Sequence, residues 1–488
     1  LQFILLFFFI HLIAQYYILS GMTERKISAV PSHRKKNYYR ICMVSDYFCP
    51  NTGGVESHIY HLAECLVQRG HQIVIVTHHY EGRRGIRYLS NGLKIYYLPF
   101  VILFNQCVIP SLLSTLPAAR YILQHEKIEI LHSHSSLSTL AQEFMFHANL
   151  IGVRTVFTDH SLFGFADMAS VAGNKMLECS LVHCNRVICV SHTGKENLVL
   201  RSSFPSERVY VIPNALDTHH FTPDPSQRCP SKINIVIACR LTYRKGIDLL
   251  ARVIPRICNE HADVDFIIAG DGPMRILLEE VRESGYLQER VKMVGNIPHN
   301  KIRQILVLGN IFLNTSLTEA FCMTILEAAS CGLHVVATRV GGVPEVLPKD
   351  LITLADVSVD DIVLVLGKVI NRCRAGLQLE PWKVHRRIVG MYSWTNVAKR
   401  TERVYMDAVQ DERHSYANIF AKHLSKGFLF GILMCIFVFL DLLYLIFLRI
   451  CDSTKNVLSA RHKNIKSHEQ NGERQWVFNN NNSTLRQS

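Results

Sequence analysis

The chain has 488 residues, 48% hydrophobic and 19% charged, which is material for two or three domains with sizeable cores. The net charge is +13, but Lys and Arg are spread out, with only a modest cluster at residues 33–36 and no recognisable nucleic-acid module, so a duplex-binding footprint is not supported. A basic excess suits plain solubility, an anionic lipid surface or a diphosphate substrate, and composition does not choose among them.

Residues 1–20, LQFILLFFFIHLIAQYYILS, are apolar enough for a signal anchor. Met22 then opens an ordinary polar amino terminus that runs to residue 38. Residues 1–21 are therefore expected to be a gene-model extension; the alternative is an anchor that sends the next domain across a membrane. The cysteines argue against export. There are 15, scattered without a CxxC pair, and Cys42, Cys189, Cys239 and Cys435 sit in apolar runs. They read as small buried hydrophobes of a reducing compartment. Cys179, His183 and Cys184 come nearest to a metal-ligand grouping, without the spacing that zinc requires.

From Tyr39 to about Asp407, short apolar runs alternate with amphipathic stretches. Runs at 40–45, 72–77, 128–135, 154–159 and 186–191, then at 233–240, 265–270, 290–295, 310–316 and 333–340, read as strands buried on both faces. Alternating strands and helices predict an α/β protein with doubly wound parallel sheets. Residues 213–230 hold four prolines and read as a linker. It divides a Rossmann-like domain over 39–212 from a second over 231–410, which ends in a returning helix, with a cleft between them. No GxGxxG opens the first unit, which disfavours a nicotinamide dehydrogenase.

Residues 427–448 form an apolar run interrupted by one acid, Asp441. The run is long enough to cross a hydrocarbon core of roughly 30 Å, and the polar residues after it are not expected to form a domain that buries it, so a single transmembrane helix is predicted. Asp441 is costly there and is expected to face a partner helix. Arg449, Lys455, Arg461, Lys463 and Lys466 after the span outweigh Arg413, Lys422 and Lys426 before it, favouring a cytosolic tail by charge. The sequons at Asn481 and Asn482 lean the other way, and a large domain without a signal peptide stays cytosolic. The polar tail over 449–488 is expected to be disordered.

Chemistry-bearing residues collect at predicted strand ends. Gly53 and Gly54 precede a helix, where backbone amides approach a phosphate, although such a pair is most often only a turn. His132, His134 and His160 end strands; one such histidine is usually a satisfied polar residue, but several on one edge suggest a site. Arg240 ends the first strand of the second half, and Lys245 is placed at a helix start. Two cations facing one cleft suit a diphosphate leaving group, against the alternative of ordinary surface charges. Gly270 to Pro273 and Gly341 to Glu345 are further glycine turns, each weak alone. In SLTEAFCMTILEAASCG, Glu319 and Glu327 are eight residues apart and Gly332 reads as a helix stop. Eight helical residues rise about 12 Å, so the acids cannot grip one atom but can hold two ends of an extended ligand. The plainer reading is dipole complementarity plus one solvated residue.

Taken in order, GG-x3-H, R-x4-K-G, E-x7-E and GGxPE resemble the retaining GT-B glycosyltransferases of the glycogen-synthase-like type over roughly residues 40–405. Longer stretches, among them FTDHSLFGFAD, RLTYRKGIDLL and NTSLTEAFCMTILEAASCGLHVVATRVGGVPEVLP, are similar to the family that starts glycosylphosphatidylinositol anchor synthesis. The resemblance implies a GT-B fold, two Rossmann-like domains facing a cleft, plus one carboxyl-terminal transmembrane helix. It implies transfer of N-acetylglucosamine from UDP-GlcNAc to the inositol 6-hydroxyl of phosphatidylinositol, with retention. It assigns catalysis to Glu319, His160, Arg240 and Lys245, and donor binding to Glu327, Ser316, Gly53, Gly54, Gly341 and Gly342. In these roles Glu327 meets the ribose hydroxyls, Glu319 the sugar hydroxyls, and Arg240 and Lys245 the diphosphate. His160 positions the sugar and stabilises an oxocarbenium-like transition state. No protein nucleophile, cofactor or metal is expected, and His58 is expected to meet the acceptor's phosphate. The implied setting is the endoplasmic reticulum membrane, catalytic face cytosolic, with other subunits of a membrane-bound transferase complex as partners and no nucleic acid. Cys322 departs from the glycine usual in the wider family. Rival readings are a lipid-directed GT-B enzyme using a different nucleotide sugar, a non-catalytic protein that only binds nucleotide sugar within the complex, and a UDP-sugar 2-epimerase. The epimerase leaves the span without a purpose, and the joint presence of Arg240, Lys245, Glu319 and Glu327 argues against a silent binding protein.

Overall fold

The computed structural model describes residues 38–450 apart from Thr52, Asn105 and residues 165–167; the expectations for residues 1–21 and for the tail past 450 fall outside the described residues. The continuous apolar runs are strands because both of their faces are covered. In chain order these are β1 (Arg40–Val44), β2 (Gln72–His78), β3 (Gly85–Tyr88), β4 (Lys94–Leu98), β5 (Ile102–Phe104), β6 (Cys107–Val108), β7 (Ile130–His134), β8 (Arg154–Asp159), β9 (Arg186–Cys189) and β10 (Val209–Val211). The second half contributes β11 (Ile233–Ala238), β12 (Val264–Ala269), β13 (Val291–Gly295), β14 (Ile311–Asn314), β15 (His334–Thr338) and β16 (Ile352–Ala355).

The first sheet has eight strands in the order β10-β9-β8-β7-β1-β2-β4-β3, parallel except where the edge strand β3 runs against β4. The second has six parallel strands in the order β13-β12-β11-β14-β15-β16. In both, the order reverses beside the first strand of the half, which opens a crevice at the carboxyl ends where such sheets bind ligands. Strands β5 and β6 form a separate antiparallel hairpin.

Each sheet carries apolar cores on both faces. The helix Trp394–Gln410 crosses back and buries Trp394, Val397, Val404 and Tyr405 beside Ile41, Met43 and Ile130 of the first sheet. Residues up to Ile419 make one compact unit and the segment from Phe420 a second. The second contains the helix Phe428–Ile450, 23 residues long and apolar enough to cross a membrane, in which Asp441 is buried. Every described cysteine is free.

Asp46 ties three strand ends together. Its amide donates to Ser138 Oγ at 2.8 Å, its Oδ2 accepts from the Leu140 amide at 3.2 Å, and its carbonyl accepts from Tyr80 Oη at 2.8 Å. Burial pushes its carboxyl up to about 7, with the Leu140 and Ser138 hydrogen bonds pulling the other way. An unfolded aspartate loses its proton near pH 4. Between about pH 4 and 7 the folded chain holds the extra proton, so this carboxyl makes stability fall as pH rises through that window. Asp46→Asn mimics the protonated form. The gap in thermal midpoint between Asp46→Asn and the wild-type chain in detergent is expected to widen in the variant's favour from pH 5 to pH 8; a gap that stays constant would show that this carboxyl is ionised throughout.

Candidate active site

A cleft of about 520 Å³ opens between the two sheets, within the size range of small-molecule sites. Gly53, Gly54 and His61 line it from the first half, Asp217 from the linker, Arg240 and Glu327 from the second half, and Trp394 from the returning helix. Gly53 has an extended backbone with Glu56 Oε2 2.5 Å from where a Cβ would sit, whereas Gly54 has no atom within 4 Å of that position. Glu327 is buried on the helix Met323–Ser330, and its Oε1 lies 2.8 Å from His299 Nε2. The hydrogen bond to Glu327 raises the His299 pKa, against the effect of burial.

Gly270 and Asp271 of the turn after β12 also line it, and the other residues singled out by sequence form two groups beside it. In the first, Lys245 Nζ pairs with Glu319 Oε1, which also accepts from Ser316 Oγ at 2.9 Å. Lys245 ends a 3-10 turn, Tyr243–Lys245, rather than starting a helix, and Arg240 lies two residues past the end of β11. The helix after Glu319 starts only at Met323, so the two glutamates do not share one eight-residue helical rise; Glu319 is carried by the preceding loop. That loop is held by the next glycine turn. The Gly342 amide donates to the Glu319 carbonyl at 2.9 Å, and a Cβ on Gly341 would come within 2.2 Å of that same oxygen. The Gly342 amide is therefore engaged by Glu319, and this turn positions the acid instead of offering that amide to a phosphate. The Cys239 thiol sits among these charges: burial first, then the Glu319 carboxylate, raise it to about 11, while Lys245 and Arg240 pull it down.

The second group is a cluster of imidazoles. His58 and His160 meet edge to face at 4.7 Å between centroids, and His134 Nδ1 lies 3.4 Å from His160 Nε2. His132 is held by Tyr405 Oη and Thr158 Oγ1, both at 2.7 Å. Burial lowers the pKa of all four, reinforced for His132, His134 and His160 by neighbouring rings, and brings His58 down to about 4. The cluster is neutral at physiological pH. His58 is buried with Nδ1 bonded to Asn214 Oδ1 at 2.8 Å, which corrects the expectation that it meets an acceptor phosphate: it has neither the charge nor the exposure. His58, His134 and His160 bring potential ligand atoms within 4.8 Å of one another. His58 Nδ1 is taken by Asn214, and His134 Nδ1 faces His160 Nε2, so the trio reads as a packed polar core. Asp159, next to His160, is fixed by Arg201 at 3.2 Å and by Ser136 Oγ at 2.8 Å, which anchors the loop that carries the histidine.

The two halves are joined through Glu345. Its carboxylate accepts from the amides of His192 and Thr193, at 2.6 and 2.8 Å, and from Thr193 Oγ1 at 2.7 Å. These amides open the helix His192–Ser202 of the first half, so an acid of the second half satisfies its positive end. Leu162, two residues past His160, lies within 2.6 Å of where a Gly341 Cβ would be.

Residues 78–167 match the sequence family described as PIGA (GPI anchor biosynthesis), and residues 232–370 match glycosyl transferases group 1. A phosphatidylinositol N-acetylglucosaminyltransferase subunit of Homo sapiens is 55% identical over 367 residues, covering 75% of this chain and 76% of its own. The protein of the same name from Arabidopsis thaliana is 47% identical over 421 residues, covering 86% of this chain and 94% of its own. The chain belongs to this family of N-acetylglucosaminyltransferase subunits. Among solved structures, sucrose-phosphate synthase from Thermosynechococcus elongatus superposes with a TM-score of 0.65 at 19% identity, covering 75% of this chain and 98% of that one. Anabaena Alr3699/HepE in complex with UDP gives 0.60 at 15% identity, with coverages of 75% and 99%. The fold is GT-B, and this member of the transferase family is a glycosyltransferase.

Sequence reasoning missed His61, Asp217, His299 and Trp394 in the cleft wall. None sits at the end of an apolar run, and Trp394 reaches the site only because the last helix returns, stacking on His61 at 5.3 Å. Cys322 occupies a left-handed conformation with φ of 63°, which accounts for the glycine usual there in the wider family. Asn314 Nδ2 donates to its Sγ at 3.2 Å. Cys322→Gly is expected to keep the unfolding free energy within about 1 kcal/mol of wild type, because relief of strain offsets the added chain entropy. Cys322→Val, β-branched at a positive φ, is expected to lose about 2 kcal/mol, read by denaturant unfolding. Glu345→Ala is expected to destabilise the chain by roughly 1 kcal/mol, as loss of a helix cap does. It is also expected to slow glycosyl transfer several-fold, with Glu345→Gln in between; an unchanged rate in Glu345→Ala would show that the bridge does not align the cleft.

Proposed function

We propose that the chain transfers N-acetylglucosamine from UDP-GlcNAc to phosphatidylinositol with retention, within a membrane-bound complex at the endoplasmic reticulum, with its catalytic unit in the cytosol. The observation that carries this is the cleft itself. Arg240 and Glu327 face one cavity, and the Lys245–Glu319–Ser316 group lies beside it, in a chain whose relatives are named phosphatidylinositol N-acetylglucosaminyltransferase subunits.

On this reading Glu327 accepts from the ribose hydroxyls, displacing His299, and Arg240 faces the diphosphate. Lys245 turns from Glu319 to the departing phosphate and leaves the carboxylate to accept from the sugar hydroxyls. Fixed cations then balance the charge that grows on the leaving group, which is work a divalent ion does elsewhere, so transfer is proposed to proceed without a metal cofactor. His160 is neutral and hydrogen-bonding, so it orients the sugar without placing a like charge beside a cationic anomeric carbon. The diphosphate oxygen takes the acceptor proton on the face it leaves.

Membranes of cells lacking the native enzyme, complemented with this chain and given radiolabelled UDP-GlcNAc, are expected to form GlcNAc-phosphatidylinositol. Arg240→Ala and Glu319→Ala are each expected to reduce the rate by about 100-fold or more. A well-expressed wild type that makes no product from any UDP-sugar would favour a role in binding nucleotide sugar without catalysis.

A further inference from the structure

The hairpin β5–β6 carries apolar side chains outward. Val101 and Leu103 are 66% and 65% exposed, and Ile102, Ile109 and Leu137 are also open to solvent. A soluble surface seldom gathers so much aliphatic area, and a two-stranded ribbon of this size does not hold itself together. It is held by the reaction edge of the first sheet. Tyr47 Oη lies 3.0 Å from Cys107 Sγ, and Cys107 Sγ donates to the Leu137 carbonyl at 3.2 Å. Tyr47 is on the loop from β1 to Gly53, and Leu137 is on the loop after His134. The same two loops that lead into the candidate site therefore seat the apolar ribbon.

Charge beside the ribbon points to what covers it. Arg83, Arg84 and Arg87 lie in the segment between β2 and β4, with Glu81 the acid among them, and this segment is largely open to solvent. The Arg83 charge acts on the Cys49 thiol and the Tyr97 hydroxyl, and Tyr97 Oη donates to the Cys49 carbonyl at 3.0 Å. Cys49 is two residues past Tyr47, so the Arg83 charge acts on the same loop that seats the ribbon. Aliphatic side chains that enter hydrocarbon, with arginines at the height of anionic headgroups, are the usual pattern of an interfacial membrane contact. The chain also contains the apolar helix Phe428–Ile450, long enough to hold it at a bilayer.

We infer that the β5–β6 hairpin dips into the bilayer leaflet and brings the acceptor edge of the first sheet onto the glycerolipid, whose acyl chains meet Val101, Leu103 and Ile109. This rests on the proposed transfer to phosphatidylinositol and names the surface that receives the lipid. The headgroup reaches the cleft along the β1 and β7 loops while the acyl chains stay in the leaflet.

The test uses the full chain in its complex, reconstituted into vesicles. Leu103→Glu combined with Ile109→Glu is expected to slow transfer to dioleoyl phosphatidylinositol in the vesicle by about tenfold or more. Transfer to water-soluble dibutanoyl phosphatidylinositol is expected to change less than about twofold, which also shows that the variant is folded. Equal losses on both acceptors, or a loss on neither, would overturn the inference. Independently, the fluorescence of Leu103→Trp is expected to be quenched by brominated acyl chains. Absence of quenching also overturns it. If the wild type transfers to neither acceptor, the transferase reading fails, and quenching still decides the docking on its own.

Discussion

The carboxylate of Glu345 on the amino end of a helix from the other half is the contact on which the rest of the site depends. Ligand-facing groups come from both sheets, so the cleft has one shape only if the sheets keep one relation. A carboxylate that accepts two main-chain amides and a hydroxyl is directional as well as charge-complementary, and it resists both sliding and twisting. The glycine turn just before it sits under the Glu319 carbonyl. One short stretch, Gly341 to Glu345, thus sets the relation between the halves and the position of the acid beside the cleft. The closeness required of Gly341, with φ of 48° and no room for a Cβ, follows from serving both ends at once.

Much of the fold was legible because parallel strands covered on both faces leave unbroken apolar runs. β1, β2, β7, β8 and β9, and β11, β12, β14 and β15, stood out this way, while β13 matched a predicted run although it is an edge strand with alternating exposure. The strands that did not were β3, β4, β10 and β16, and the short hairpin pair β5 and β6. β3 is half-exposed at an edge, and β10 and β16 are short outer strands with intermediate burial. Edge strands need burial on one face only, so their sequences do not carry a continuous apolar signature. β4 is largely buried, yet its KIYYL is broken by tyrosines and follows a run rich in arginine and glycine, which masks it.

The site was legible where the sequence order itself places a residue at a strand end. Gly53, Gly54 and Arg240 reach the cleft for that reason, since the carboxyl ends of parallel strands converge on the crevice. Glu327 reaches it one turn into a helix, through the spacing within its motif. His299, Asp217 and Trp394 reach it through tertiary packing alone: a loop after β13, the linker, and a helix that begins far along the chain. His58 illustrates the opposite error. Its place in a motif suggested ligand contact, but burial beside Asn214 and Trp394 makes it part of the core that supports the site.

On the proposed reading, the arrangement of charge follows the direction in which the donor's bond breaks. Arg240 and Lys245 are both on the diphosphate side. On the sugar side the protein presents His160, kept neutral by burial against His58 and His134, and Glu319, whose charge is already balanced by Lys245. A cationic histidine there would oppose positive charge at the anomeric carbon. An unpaired carboxylate in a half-buried loop would carry a desolvation cost before any ligand arrived. Pairing Lys245 with Glu319 settles both charges in the unliganded cleft, and the incoming diphosphate separates them by offering the lysine a more highly charged partner. The Oε1 of Glu319 that Lys245 holds is then released toward the sugar when the nucleotide is in place, which couples the two ends of the donor without contact between them.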